Sequence, residues 1–422
     1  MVLADTSMEP VHPPSTSPAP LTSPKSVLAV IWRRYGQLIL QVGIGLMIAA
    51  ALWRLGLELP RLIWGEDRVD AVDLISRHRE VEYWFSRQPV YGALPNGDYP
   101  PASHVLLWPL LSWMDREAAR WFWAGSTLAV LAWLSGLGIR ESRATTLWEK
   151  LFIALLPFAL YPASAGIRVG QLATHVIPPL VAGLLLIDRS RRSWSQDILG
   201  AAFVIFALVK PTVSAPFFWL VCFMPGRWRP VVLVSGGYAI AALIATGYQA
   251  GNLLTLHADW LAHAGDQLGT RGHASVHTWL EAAGLSEWML PASLLLMGAM
   301  GLWTWLYRRA DPWTLMSVAA LISRFWTDHQ VFDDLLLWIP VIALFRLAKT
   351  SPSQPLRLIT AILFALNWFA LMAPARFLNG APPISTLAVG GQTILWVGLL
   401  VFFMVLAQQE LNPPELTHQE KA

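Results

Sequence analysis

Charge is scarce in this chain. Asp, Glu, Lys and Arg make up 14% of its 422 residues, against about 25% in a soluble globular protein. Water cannot solvate such a surface throughout, so an ordinary soluble domain is excluded. Cysteine is almost absent. The single Cys222 sits in an apolar run, which rules out an internal disulfide and any thiolate metal cage. There is no Gly-Lys-Ser/Thr loop, no Gly-x-Gly-x-x-Gly and no Gly-x-Ser-x-Gly elbow, so nucleotide hydrolysis has no recognisable site here. The net charge of +3 is too small and too dispersed for a nucleic-acid partner. No Asn-x-Ser/Thr sequon occurs, which favours a bacterial membrane over a secretory one.

What is present is apolar. Hydrophobic residues reach 55%, with 23 tryptophans and a mean hydropathy of +0.48. A crossing needs about 20 mostly apolar residues. Stretches that meet or approach this are 37–57, 119–139, 148–166, 170–188, 229–246, 289–307, 312–326, 330–347, 356–373 and 389–408. Two less simple pieces are 101–114, read as a shallow dip, and 198–224, interrupted by Lys210-Pro211. The expectation is an all-α polytopic membrane protein with about 12 membrane segments. Residues 1–36, rich in Pro, Ser and Thr towards their start, read as a disordered cytoplasmic tail. The apolar run Val27–Trp32 followed by Arg33-Arg34 has the wrong polarity for a cleaved signal peptide. Residues 37–408 form the transmembrane domain and 409–422 a cytoplasmic C-terminal tail.

Lys and Arg in short loops face the cytoplasm. Arg33/Arg34, Arg140/Arg143/Lys150, Arg189/Arg191/Arg192, Arg227/Arg229, Arg308/Arg309 and Arg346/Lys349/Arg357 then put loops 58–100, 166–171, 247–288, 323–330 and 374–388 outside. Nearly every unusual polar residue falls on that outer face. In the first outer loop, a helix over 70–87 sets Asp70, Asp73, Arg77 and Glu80 on one side, beside an apolar stripe of Leu74, Val81 and Phe85. Such a helix lies in the membrane interface; its charges read either as catalytic or as a solvated face that caps the bundle. Lys210 within an apolar segment costs about 2.5–3.5 kcal/mol on insertion scales, so its default reading is functional, with snorkelling to the headgroups as the plain alternative. A compact cation there suits a lipid phosphate. Arg324, Asp328 and His329 form a third polar group, the histidine able to donate to phosphate or to titrate near neutrality. Asp328, Asp333 and Asp334 match no specific metal motif, and no metal is expected. His257, His263, His273 and His277 lack zinc spacing, and loop 247–288 reads as an outer cap that selects the acceptor.

The order of these elements resembles glycosyltransferase family 87. The likeness is carried by an Asp after the first span, Pro89-Val-Tyr91, Tyr99-Pro100-Pro101, Gly170-Gln171 opening a span, Leu208-Val-Lys210-Pro211 before a basic turn, and Trp326-Thr-Asp328-His329. It covers roughly residues 37–350. The resemblance implies a GT-C-like helical bundle and a polyprenyl-phosphate sugar donor, typically mannose. It also implies transfer to a hydroxyl of a glycan, glycolipid or protein on the non-cytoplasmic face of the plasma membrane. It carries over Asp73 as general base, with Asp70 the alternative, and the late catalytic histidine as His329. Lys210, Arg324, Tyr99, Gln171 and Asp328 complete the candidate substrate-binding set. Two departures stand out: Ser323-Arg-Phe-Trp-Thr where a Ser-rich approach is usual, and Gln330 in place of a second histidine.

The chemistry agrees with this inventory on its own terms. Moving a sugar from a lipid phosphate to a hydroxyl needs one base on the acceptor. The departing phosphate is a weak base, so cations suffice to stabilise it, and one displacement inverts the anomeric centre. A secondary transporter or flippase would also explain the broken helix at Lys210, but no internal repeat relates the two halves. A non-catalytic assembly protein of an envelope polymer pathway is the third reading.

Overall fold

The computed structural model describes residues 24–188, 193–224, 226, 228–267, 274–373 and 382–411. Among them the chain is helical, with no strand. In the N-terminal half run α1 (Pro24–Trp64), α2 (Val72–Phe85), α3 (Pro101–Leu111), α4 (Arg116–Glu141), α5 (Leu147–Ala159), α6 (Tyr161–Val169) and α7 (Ala173–Asp188). There follow α8 (Trp194–Ala207), α9 (Pro211–Ser214), α10 (Phe218–Phe223), α11 (Arg229–Thr246), α12 (Leu253–Gln267) and α13 (Val276–Ala282). Last come α14 (Met289–Leu306), α15 (Pro312–Phe325), a 3-10 turn Asp333–Leu337, α16 (Trp338–Thr350), α17 (Gln354–Met372) and α18 (Ile384–Leu411).

Seven stretches are long and apolar enough to cross a membrane: Gly36–Trp64, Arg116–Glu141, Leu147–Val169, Arg229–Thr246, Ser286–Leu306, Gln354–Met372 and Ile384–Leu411. The chain is an integral membrane protein. Three of the expected crossings are shorter than a span. Residues 170–188 give only α7, 312–326 give α15, and 330–347 divide into the 3-10 turn and α16. The reason is where they sit. α7 is buried at nearly every position and α15 at all but Pro312 and Ile322, so both are core helices enclosed by their neighbours. Hydropathy cannot separate burial in protein from burial in lipid. At 1.5 Å per residue, the 16 residues of α7 rise about 24 Å, less than the hydrocarbon thickness of about 30 Å.

Segment ends also differ from expectation. α1 begins at Pro24, inside the segment expected to be tail, and residues 1–23 lie outside the described set. It runs on to Trp64, so the first outer loop starts later than residue 58. At the other end α18 reaches Leu411, past the expected boundary at 408. The expected helix over 70–87 is α2, 72–85, and Asp70 precedes it. Loop 247–288 is largely helical, as α12 and α13. His273 and the basic residues Arg189, Arg191, Arg192 and Arg227 are outside the described residues.

Local chemistry sets the ends. A capping box between Thr146 and Glu149 starts α5, satisfying amides the helix leaves open. Pro162 stops α5 from running straight into α6, and the backbone opens at Leu160. The Arg54 guanidinium donates to the freed Ala159 carbonyl and to Met372 O at 3.0 Å, closing the ends of α5 and α17 together. Lys210 breaks α8 from α9 because Pro211 has no amide to offer the preceding turn. At the end of the bundle holding Arg308, Arg346 and Lys349, loops are tied by Lys349–Glu149 (2.7 Å) and Arg346–Asp311 (3.7 Å). Arg324 and Asp333 sit at the opposite ends of the helices those loops join.

Candidate functional site

The site begins where α2 docks on the turn between α6 and α7. α2 has no side-chain cap; Ala71 at its start is left-handed, with φ 55°, and its amide donates instead to Arg168 O at 2.9 Å. Arg168 Nε donates to Asp70 Oδ1 at 2.9 Å. Gly170 is left-handed too (φ 71°), and a Cβ there would come 2.6 Å from the Leu74 Cβ. The next residue, Gln171, donates from Nε2 to Asp73 Oδ2 at 2.7 Å. The two candidate aspartates are thereby distinguished. Asp70 is buried and held by a guanidinium, whereas Asp73 is half-buried and takes a neutral amide donor. Burial pushes the Asp73 carboxyl above the usual range, while Arg77 and Lys210 pull it back.

One turn along α2, Arg77 is 5% and Glu80 1% exposed, so this face is enclosed and not a solvated cap. Arg77 pairs with Glu80 at 2.9 Å and Asp98 at 3.1 Å, donates to Asn96 O at 2.6 Å and lies 3.9 Å from the Tyr99 ring centroid. Burial alone would lower the Arg77 pKa, but Glu80 and Asp98 raise it on balance. Burial drives Glu80 well above the ordinary glutamate range, with Arg77 opposing. Tyr99 is the flat support under this guanidinium. Its carbonyl accepts from Tyr91 Oη at 2.8 Å, which links the Pro89-Val-Tyr91 and Tyr99-Pro100-Pro101 motifs.

Lys210 lies at the broken helix, buried, with Nζ on Asp333 Oδ1 and 5.1 Å from the Phe332 ring centroid. Phe332 also borders Gly166 of α6, whose carbonyl accepts from the Gln171 amide. Ser103 Oγ donates to Val209 O at 2.8 Å, Ser323 Oγ to Val213 O at 2.7 Å and Trp326 Nε1 to Thr212 O at 2.9 Å. The starts of α3 and α9 and the end of α15 therefore meet around Lys210. Arg324 Nε is 2.6 Å from Asp334 Oδ1, and His329 Nε2 approaches the same oxygen at 3.2 Å. Burial, then Arg324, lowers the His329 pKa against the opposing pull of Asp334 and Asp333, which favours the neutral ring.

The structure thus gathers Asp73, Gln171, Tyr99, Lys210, Arg324 and His329 at one end of the bundle, with Asp328 in the same 326–332 loop. Asp333 and Asp334 are committed to Lys210 and Arg324. Among the described residues no group of three or more His, Cys, Asp or Glu side chains is arranged to hold a metal ion. Reading the sequence missed Arg168, two residues before the Gly170-Gln171 motif, as the partner of Asp70. It also missed the tie from the cap to the site. His277 Nε2 meets Ser293 Oγ at 2.7 Å, and that hydroxyl donates to Trp326 O at 2.7 Å. From α12, Trp260 Nε1 donates to Asp98 O at 2.8 Å. Nothing in the spacing of these residues signals such contacts.

Comparison with known proteins adds one match. The family description Glycosyltransferase family 87 fits residues 98–327, more than half of the chain, and the chain belongs to that family. It is a membrane glycosyltransferase, and the transporter, flippase and assembly-protein readings are set aside. No curated protein and no solved structure matches it.

Proposed function

We propose that this family 87 glycosyltransferase moves a hexose, mannose in the first instance, from a polyprenyl-phosphate sugar to an acceptor hydroxyl on the non-cytoplasmic face of the plasma membrane. The observation that carries the proposal is the surroundings of Asp73. One carboxylate oxygen takes the Gln171 amide, the group is enclosed enough to raise its proton affinity, and Arg77 and Lys210 favour its ionised form. A carboxylate whose proton affinity is raised by enclosure, with cations nearby that favour its ionised form, suits a general base.

In the step, Asp73 takes the proton of the acceptor hydroxyl as its oxygen bonds to the anomeric carbon. The bond from that carbon to the phosphate oxygen breaks, and its electron pair leaves as polyprenyl phosphate. The leaving phosphate gains one negative charge, so fixed cations lower the barrier. Lys210 and Arg324 supply them, each already oriented by an aspartate. His329, neutral before reaction, gains proton affinity as that charge develops beside it. A single displacement inverts the anomeric configuration. The reaction needs no metal or other cofactor. Its partners are the lipid-linked donor, a glycan, glycolipid or protein acceptor, and the surrounding lipid.

The test is an assay of purified protein with radiolabelled polyprenyl-phosphate mannose and a membrane lipid extract. Asp73-dependent label in the acceptor fraction is the expected result. Transfer from a nucleotide sugar and none from the lipid donor would overturn the donor assignment.

A further inference from the structure

We infer that Gln171 is the positioning residue of the base: it fixes the Asp73 carboxylate by donating to Oδ2 and leaves Oδ1 to take the acceptor proton. The inference rests on the reading of Asp73 as the base.

Both ends of the Gln171 side chain are committed. Its Oε1 accepts from the Leu172 amide at 2.8 Å, at the mouth of α7, and Nε2 donates to Asp73 at 2.7 Å. Because the backbone amide can only donate, the amide oxygen must face Leu172 and the NH2 group must face Asp73. The flip that often leaves Asn and Gln amides ambiguous is settled here by chemistry. Gln171 is itself buried, so it offers the aspartate a donor of fixed direction and no alternative.

The backbone beneath is built for the same register. The Gln171 amide donates to Gly166 O at 2.8 Å, and Ala71 N donates to Arg168 O at 2.9 Å. Arg168 holds Asp70, and Gly170 admits Leu74 closer than any side chain would allow. Residues 168, 170 and 171 thus each engage the entry to α2 or its first turn, at 70–71, 74 and 73. The turn specifies where Asp73 stands, and the amide specifies which way its carboxylate faces. Each end of the Gln171 amide thus already holds one partner within the chain.

A hydrogen bond to the charged form lowers a carboxyl pKa, which gives the test a readout beyond activity. The acid limb of kcat/KM for polyprenyl-phosphate mannose is measured on purified full-length wild type, Gln171→Ala, Gln171→Glu and Asp73→Asn. Gln171→Ala is expected to lose about 10–100-fold in kcat, leave the donor KM unchanged, and move the acid limb upward. Gln171→Glu keeps shape and the Leu172 contact but sets a carboxyl against Asp73, so the limb should move up by about one pH unit or more. Its activity should recover on raising the pH. If both Gln171 variants keep the wild-type limb while the donor KM rises, Gln171 binds substrate and the inference fails. If Asp73→Asn retains wild-type turnover, the base reading fails and takes the inference with it. A dead Asp73→Asn with unmoved limbs in the Gln171 variants sinks the inference alone.

Discussion

Asp70 and Asp73 stand one helical turn apart in very different company, and that difference decides what each substitution does. Asp73→Asn keeps the shape and removes the basicity, so transfer should fall by about 10²–10⁴ in the radiolabel assay with donor binding retained. Asp70→Asn instead uncouples Arg168, so it should lower the melting temperature in detergent and spare most of the turnover. The reverse pattern would move the base three residues upstream. The raised proton affinity of Asp73 also fixes the sign of the pH dependence. Its base is lost on acidification through a pKa above the ordinary aspartate value, so the acid limb of kcat/KM should lie above that of an unperturbed aspartate. Lys210 favours the ionised form; Lys210→Met should therefore push the limb further up while lowering turnover by about 10²–10³. An unmoved limb would separate Lys210 from the base. At this scale the candidates were legible one at a time, because Lys210 is anomalous in an apolar run and the aspartates flank a span. Their pairings were not. Asp333 and Asp334 read, with Asp328, as an acidic group that matches no metal motif, and no spacing rule links residue 210 to 333 or 73 to 171.

At the scale of elements, the decisive contact is α2 against the turn that follows α6. Gly170 occupies it with φ 71° and a virtual Cβ 2.6 Å from Leu74, so Gly170→Ala meets both backbone strain and a steric clash. The left-handed conformation alone costs about 1–3 kcal/mol, and α2 must also shift. The expected outcome is a lower melting temperature together with a loss of turnover greater than destabilisation explains. A variant that melts early but keeps full turnover in its folded fraction would show that α2 tolerates displacement. The existence of most helices was readable from hydropathy, and the break at Lys210-Pro211 from the proline. Lengths were not. α7, α15 and the first half of α16 are apolar because they are enclosed by protein, and a sequence gives that environment and the lipid the same signature. The helices of loop 247–288 escaped notice because α12 and α13 are too short and too polar to register as spans.

Across the whole molecule, the described basic loops around Arg140, Arg308 and Arg346–Lys349 lie at the opposite end from the polar site. With Cys222 replaced, cysteines placed near Asp67, Asn96 and Trp326 should react with an impermeant thiol reagent on intact cells. Labelling that requires permeabilised cells would turn the protein over in the membrane. EDTA should leave transfer unchanged; its abolition, with rescue by Mg²⁺, would recast Asp333 and Asp334 as metal ligands. One arrangement described above reaches beyond the chemistry of a single turnover. Arg168, Arg77, Lys210 and Arg324 each face a carboxylate of the chain itself. A site whose cations are already balanced before its anion arrives has little to gain by keeping it, and a spent lipid phosphate carries two charges where the donor carried one. Removing a counter-charge, as in Asp333→Asn, should therefore sharpen inhibition by polyprenyl phosphate. The carboxylates would then govern how readily the enzyme lets go.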